Sequence, residues 1–192
     1  MDSLLVAPRP SPPLLLRPLL WLARRITGKD PLPGRLLSWF PKGAVGVGVF
    51  EALAAGAPGD LDARSLATAR IVASAVAGCP FCVDMNAATW RRAGLSVEEL
   101  TSLLHLQRDA WAGLGGREAL AARYAEALSL TPVVVPPALA TALQGAFSAR
   151  ELVVLATTIA QVNFWSRFNQ GLGVPSAGFF DESVCRLPGA PS

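Results

Sequence analysis

Gly78-Cys79-Pro80-Phe81-Cys82-Val83-Asp84-Met85-Asn86 is the one stretch of this chain where reactive side chains concentrate. Two cysteines flank a Pro-Phe pair, and a helical pattern follows. Gly78 closes the preceding helix, because glycine tolerates the left-handed backbone a helix stop needs. Pro80 suits the first turn of the next helix. The spacing therefore predicts a CxxC turn at a helix N-terminus, where unpaired N–H groups and the helix dipole favour a thiolate. Sulfurs so placed can also close a reducible disulfide.

Outward from the turn, every segment reads as helix. Leu66, Ala69, Arg70, Ala73, Val76 and Ala77 share one helical face, with Asp60 or Asp62 as the cap. Beyond the turn a helix is predicted from Pro80 to Arg92, stopped by Gly94. Ser96 and Glu99 form a capping box that opens a helix to about Leu106, and a further helix covers Arg117 to Leu130. Val133 to Val135 has strand composition, but Pro132, Pro136 and Pro137 enclose it and no partner strand exists. A short helix runs from Pro137 to Phe147. A second capping box, Ser148 and Glu151, opens the longest helix, which reaches about Gln170 before Gly171, Gly173 and Pro175.

Upstream, residues 7–13 are proline-rich and irregular. Leu14 to Ile26 reads as a short helix interrupted at Pro18, since an interior proline removes a hydrogen bond and clashes. A turn at Asp30 to Gly34 leads to a helix over Arg35 to Phe40, broken by Pro41; Gly43 to Ala55 is apolar and helical despite its glycines. The fold class is all-α. Ala63-Arg64-x-Leu66 recurs as Ala149-Arg150-x-Leu152, a faint echo that would suit two paired helices. The chain divides into a basic proline-rich arm (1–30), one helical domain (31–180) and a tail (181–192).

With 192 residues, 52% of them hydrophobic and 16% charged, the chain can bury a core and is not disordered. No apolar run is long enough to span a membrane; the best stretch, Leu152 to Trp165, carries Gln161 and Asn163. The net charge of +3 is uneven: seven basic residues oppose Asp2 and Asp30 in the first 42. Such an arm, rich in leucine, could touch an anionic membrane, but its prolines favour packing on its own domain or a neighbouring subunit. No basic patch interleaved with stacking aromatics points to nucleic acid. Asp2 and the early prolines do not read as an export signal, and three cysteines do not read as a secreted disulfide framework, so a reducing cytoplasm is expected.

The dithiol itself admits three readings. Zinc needs four ligands, and only the distant His105 and Cys185 remain to complete a set, so no metal or other cofactor is expected. Two inert core cysteines are the plain alternative. Redox activity is favoured by the compact spacing and by Pro80.

The turn Gly78 to Asn86 resembles the signature of the carboxymuconolactone decarboxylase and alkylhydroperoxidase D-like superfamily. Asn163-Phe-Trp-Ser-Arg-Phe-Asn169, followed by Gly171-Leu-Gly-Val-Pro175, resembles the end of that family's last long helix, and the likeness covers roughly residues 30–180. The resemblance implies an alkylhydroperoxidase D-like helical bundle forming a homo-oligomer, a trimer or hexamer, with a dimer as a further option. It implies reduction of a small-molecule hydroperoxide by a cysteine pair, recycled by a dithiol reductant such as a lipoyl or thioredoxin-like protein. Carried over residue by residue, Cys82 is the peroxidatic cysteine and Cys79 the resolving one. Where the family has a histidine four residues after the second cysteine, one turn along the same face, this chain has Asn86. Where it has a glutamate twelve residues before the first, this chain has Ala67. Asn86 can hydrogen-bond a thiolate but is no base. Asp84 falls on another helix face, Glu51 or Arg70 could fold over the site, and His105 is more simply an exposed or locally satisfied group.

Three functions follow as expectations. The first is a thiol-dependent oxidoreductase with Cys82/Cys79 cycling, impaired by the missing relay. The second is a catalytically degenerate oligomer that binds a small ligand or partner. The third is a carboxymuconolactone decarboxylase-like lyase, disfavoured because no histidine lies near the turn.

Overall fold

The helix preceding the dithiol, residues Ala63–Ala77, is the centre of the domain, and its small residues are the reason. In the computed structural model, which describes residues 4–54 and 59–181, Ala67, Ala69, Ile71, Val72 and Ala73 of this helix are all buried. Short side chains let neighbouring helices pack close on either side. Its start is fixed by Asp62, whose carboxylate accepts the Ser65 N–H at 2.7 Å; an N-cap of this kind stabilises by about 1 kcal/mol.

In chain order the helices are α1 (Arg17–Thr27), α2 (Leu32–Leu37), α3 (Pro41–Ala54), α4 (Ala63–Ala77), α5 (Pro80–Ala87), α6 (Val97–Leu104), α7 (Gly116–Ser129), α8 (Pro137–Ala146) and α9 (Ala149–Gly171), with 3-10 turns at Leu14–Leu16 and Arg108–Gly113. The fold is all-α, as the patterns predicted. Both capping boxes are formed: Ser96 and Glu99 open α6, and Ser148 and Glu151 open α9. α4 packs between α7 and α9 over a core that includes Leu100, Leu103, Trp111, Leu155 and Ile159. The Trp111 indole N–H, buried with its ring, donates to the Ser102 carbonyl at 3.2 Å.

α4 and α9 run side by side in one direction. Arg150, at the start of α9, pairs with Asp60 at 2.5 Å, and Gln170, near its end, donates to the Ala77 carbonyl at 3.0 Å. The sequence echo thus falls on the first turns of two neighbouring helices, but its two arginines do different work. Arg64 bridges Glu99 and Glu118, whereas Arg150 is exposed.

Several boundaries differ from expectation, and proline explains most of them. Pro18 opens α1 instead of interrupting it, Pro33 sits in the first turn of α2, and Pro41 is the first residue of α3 instead of a break. At those positions the missing N–H has no intrahelical partner to lose. α5 stops at Ala87, short of Arg92, because Thr89 Oγ1 and the Thr89 N–H both turn onto the Asn86 carbonyl. α6 ends before Leu106, whose φ of 52° is incompatible with continuing the helix.

The basic arm folds back onto the domain. The Leu5 N–H donates to the Leu172 carbonyl at 3.0 Å, Arg9 donates to the Ser38 carbonyl and lies over the Trp39 ring, and Trp39 donates to the Ala7 carbonyl. Leu14, Leu15, Trp21, Ile26, Trp39 and Phe40 nevertheless remain more than half exposed. Among the described residues, no helix is long and apolar enough to cross a membrane.

Candidate active site

Gly78 ends α4 with φ 66°, and the chain turns sharply into α5. Cys79 is the N-cap of α5: its sulfur accepts the Cys82 N–H at 3.2 Å, as a serine or aspartate oxygen would in the same position. The Cys82 side chain, one turn on, brings its sulfur to 2.6 Å from that of Cys79. Both cysteines are free thiols and both are fully buried.

The sulfurs share a proton unequally. The hydrogen bond with Cys82 holds the Cys79 thiol down from 9.0 to about 7, with the Cys82 N–H, Ser166 and the Phe81 N–H reinforcing it against burial. The same contact with Cys79, together with burial, pushes the Cys82 thiol up. The direction has a plain geometric cause. Backbone donors at the start of α5 point at the Cys79 sulfur, so the negative charge of the reduced pair resides there.

The dithiol lies in a small apolar cluster separate from the main core, made of Leu36, Cys79, Phe81, Cys82 and Val174. Leu4 of the arm, Trp165 and Phe168 of α9, and Ala177 and Phe179 beyond α9 pack around it. Phe179 meets Phe81 edge-on, with ring centroids 6.1 Å apart. Asp84 holds this cover in place. Its buried carboxylate accepts the Ala177 N–H at 2.8 Å and the Phe180 N–H at 2.7 Å, tying the segment after α9 to the helix that carries the sulfurs.

Asn86 is buried on α5, but among the described residues no hydrogen bond joins its amide to either sulfur. A different amide does this. Asn169 of α9 directs its Nδ2 at the Cys82 sulfur, 3.6 Å away, and Ser166, one turn earlier on α9, faces both cysteines and favours both anions. Ala67, at the place of the family glutamate, is an ordinary core residue. Glu51 of α3 approaches from the other side by accepting the Trp165 indole N–H. Arg70 is half-buried near Glu51; burial pushes its guanidinium below its ordinary value, and the charge of Glu51 opposes this. His105 caps the exposed end of α6, away from the residues packed on the sulfurs. Cys185 lies outside the described residues.

Neither Ser166 nor Asn169 was singled out as a site residue from sequence. Their signal was present, since both stand in the Asn163 to Asn169 segment that resembled the family's last helix. Only the packing of α9 on α5 shows which of its positions meet the sulfurs. Two cavities lie away from the thiols. One of about 460 Å³ is lined by Leu120, Arg123, Glu126, Leu130 and Leu139, between α7 and α8. The other, about 330 Å³, is lined by Gly46, Val47, Phe50, Ala160 and Phe164.

The chain matches the carboxymuconolactone decarboxylase family over residues 47–127. It is 34% identical over 180 residues to the uncharacterized protein YnjA of Escherichia coli strain K12, covering 92% of this chain and 93% of that protein. Among solved structures, the debrominase Bmp8 superposes with a TM-score of 0.74 at 21% identity, over 93% of this chain and 95% of that one. Its C82A variant bound to 2,3,4-tribromopyrrole gives 0.73 at 18% identity, over 88% and 90%. An Agrobacterium tumefaciens protein of unknown function, ATU0492, a candidate antioxidant-defence AhpD protein, gives 0.64 at 23% identity, over 73% and 94%. The solved structures share the all-helical fold, and by sequence the chain belongs to the carboxymuconolactone decarboxylase family.

Proposed function

We propose that the chain is a thiol-dependent oxidoreductase that reduces a small hydroperoxide at the Cys79/Cys82 pair. The observation that carries this reading is the buried pair itself, 2.6 Å apart at a helix N-terminus with one thiol held down to about 7. An N-cap sulfur that accepts a backbone N–H and touches a second sulfur has what a thiolate and a closing disulfide need.

The nucleophile in this reading is Cys79, the reverse of the order implied by the family resemblance. That order relies on a histidine to deprotonate the second cysteine, and here the position is Asn86. The N-cap donors act on Cys79 instead. Its thiolate attacks the terminal oxygen of the hydroperoxide; an S–O bond forms and the O–O bond breaks. The departing alkoxide takes the Cys82 thiol proton and leaves as an alcohol. The Cys82 thiolate then attacks the sulfenic sulfur, the S–S bond forms, and the expelled hydroxide gains a proton from solvent to become water. Two electrons pass from the dithiol to the peroxide. An external dithiol, lipoyl or thioredoxin-like, restores the pair by exchange. Without a histidine–glutamate relay, turnover is slow, and the full burial of both sulfurs limits it to times when the cover formed by Leu36, Val174 and Phe179 parts.

The test is oxidation of the reduced protein by a hydroperoxide. Wild type loses both thiols per peroxide consumed, Cys82→Ser stops at a sulfenic acid on Cys79, and Cys79→Ser is inert. A wild type no faster than the double variant sinks the reading.

A second reading draws on the aromatic surroundings. Phe81, Trp165, Phe168 and Phe179 frame the sulfurs, and a protein of the same fold is a debrominase seen with a brominated pyrrole. A dithiol can supply the two electrons that replace carbon–bromine by carbon–hydrogen, releasing bromide and leaving the disulfide. Bromide release from a bromopyrrole, with no hydroperoxide consumption, would select it. We further propose that the chain works as a homo-oligomer, the exposed apolar side chains of residues 14–40 being covered by a second copy.

A further inference from the structure

Fully buried polar atoms normally have hydrogen-bond partners, and each exception asks for an explanation. Two such exceptions stand together at the dithiol. Among the described residues, Ser166 is completely buried and its Oγ makes no hydrogen bond of good geometry, although it faces both thiols; Asn169 is 1% exposed and its Oδ1 has no partner. They lie three residues apart on α9, hence on one face. That face meets the sulfurs: the Asn169 amide N–H donates to the Cys82 sulfur, and Ser166 bears on both thiols.

The unused capacity is specific. Asn169 Oδ1 is purely an acceptor, and the Ser166 hydroxyl can donate or accept. Beside them the rest of the cover is apolar, with Phe81, Val174, Trp165 and Phe168 offering nothing to a polar ligand from their side chains except the indole N–H, which Glu51 occupies. A group that satisfies both orphans must bring a donor to Oδ1 and a polar atom to Oγ. A hydroxyl does both. A dialkyl peroxide has no hydrogen to donate and leaves Oδ1 unsatisfied, at a penalty comparable to a lost buried hydrogen bond.

We infer that Ser166 and Asn169 form a two-point oxygen site beside the dithiol, which seats the terminal hydroxyl of a hydroperoxide against the reacting sulfurs. This rests on the peroxidase reading above and adds to it the residues that recognise the substrate. Oδ1 accepts the peroxide O–H, and the Ser166 hydroxyl donates to the same oxygen. That oxygen is the one attacked. Both residues touch the substrate in this arrangement, and they replace by fixed hydrogen bonds part of what Ala67 and Asn86 no longer supply.

The test compares two small reagents on the reduced protein. Methyl methanethiosulfonate reports thiolate reactivity without any O–H group, and tert-butyl hydroperoxide carries one. Ser166→Ala and Asn169→Ala are each expected to slow oxidation by the hydroperoxide about tenfold, the effect of one ordinary hydrogen bond, while the thiosulfonate rate changes less than about threefold. Equal losses with both reagents, or no loss with either, overturn the inference, because the pair would then only tune the thiolate or merely fill space. A wild type that reacts with the thiosulfonate but not with the hydroperoxide overturns the peroxidase reading itself. Ser166→Ala deletes a single atom, so it decides the question even if Asn169→Ala does not fold.

Discussion

Asp84 Oδ2 accepts the Ala177 N–H at 2.8 Å, although the two residues stand 93 positions apart. The companion bond from the Phe180 N–H to Oδ1, at 2.7 Å, makes the carboxylate a clamp between α5 and the segment that covers the dithiol. Hydrogen bonds to a buried charged acceptor contribute about 1.5–3 kcal/mol each. Asp84→Ala loses both and leaves two backbone N–H groups to find water. The expected loss is about 2–4 kcal/mol of stability, a fall in Tm of roughly 5–12 °C for a chain of this size. The more informative readout is thiol accessibility. Release of the segment around Phe179 should speed modification of Cys79 and Cys82 in the folded protein well beyond what global unfolding permits. An unchanged modification rate would show that the cover does not depend on the clamp.

The unequal sharing of one proton between the sulfurs sets a pH signature. In the reduced protein the Cys79 thiol is held down to about 7 from 9.0, so the ultraviolet thiolate signal should rise with a midpoint near 7. Cys79→Ala removes that step, and Cys82→Ala moves it upward by taking away the largest cause of the depression. The same shift links to stability. Between about pH 7 and 9 the folded form binds fewer protons than the unfolded one, so stability of the reduced protein grows with pH through that window, on the order of 2–3 kcal/mol at most. Lowering the pH through about 7 abolishes this contribution. Above about 9 the raised Cys82 thiol reverses the slope, because the folded form then keeps a proton that the unfolded form has lost. Denaturant titrations under reducing conditions at stepped pH check the sign; oxidised protein should show neither slope.

Local signals carried the sequence reading as far as local physics reaches. Caps, glycine stops and the CxxC turn depend on neighbours within a few residues, and α4, α6, α7, α8 and α9 came out within a few positions of where they were expected. Prolines were misread upstream because the same residue breaks a helix from within and starts one from its first turn. Pro18 and Pro41 are both starters, and nothing local distinguishes the two uses. The neighbours of the sulfurs were out of reach for a different reason. Asn86 shares a helix with Cys82, so spacing alone nominated it. Asn169 is 87 residues away and arrives only because α9 runs alongside α4 and passes the start of α5.

Arg117 joins three chain segments at the opposite end of the domain from the dithiol turn. Its guanidinium donates to Glu151 at 2.6 Å and to the Ala146 carbonyl at 2.7 Å, pairs with Asp62 at 3.2 Å, and stacks over the Phe147 ring. The hydrogen bond from Arg117, followed by those from Ser148, holds the Glu151 carboxyl down to about 2 from 4.5. A depressed carboxyl stabilises the fold above its unfolded pKa and loses that contribution as pH falls through the folded one. The window is therefore about pH 4.5 to 2. Arg117→Met, which keeps much of the side chain's apolar bulk over Phe147, should lower stability at pH 7, where the contribution is fully present, with the difference from wild type shrinking as the pH falls from about 4.5 toward 2. Solvent screening at this partly exposed site keeps the effect modest, and added salt should shrink the difference between variant and wild type. A difference in denaturant titrations at low salt that stays constant from pH 7 into that window would assign the depression no role in stability.

The apolar surface at the front of the chain leads to the last prediction. α1 buries none of its residues, yet it carries Leu19, Trp21, Leu22 and Ile26 on its exposed surface, with Leu14 and Leu15 just before it and Trp39 and Phe40 nearby. Leu19 and Leu20 pack where Gly48 and Gly34 leave room, so the helix is seated on the domain and presents its remaining apolar side chains outward. An exposed apolar surface on a helix is a common mark of an interaction site. The charges nearby are Arg17, Arg24, Arg25 and Lys29, and the excess of basic residues in the first 42 positions leaves the rest of the chain net acidic. A second copy can therefore meet this face with both apolar area and opposite charge. Light scattering of wild type should give a multiple of the monomer mass, and Trp21→Glu combined with Ile26→Glu should reduce it to the monomer without unfolding the protein. A monomeric wild type that instead sediments with anionic vesicles, and loses that binding in the same double variant, would assign the face to a membrane surface, the reading that the prolines of the arm had argued against.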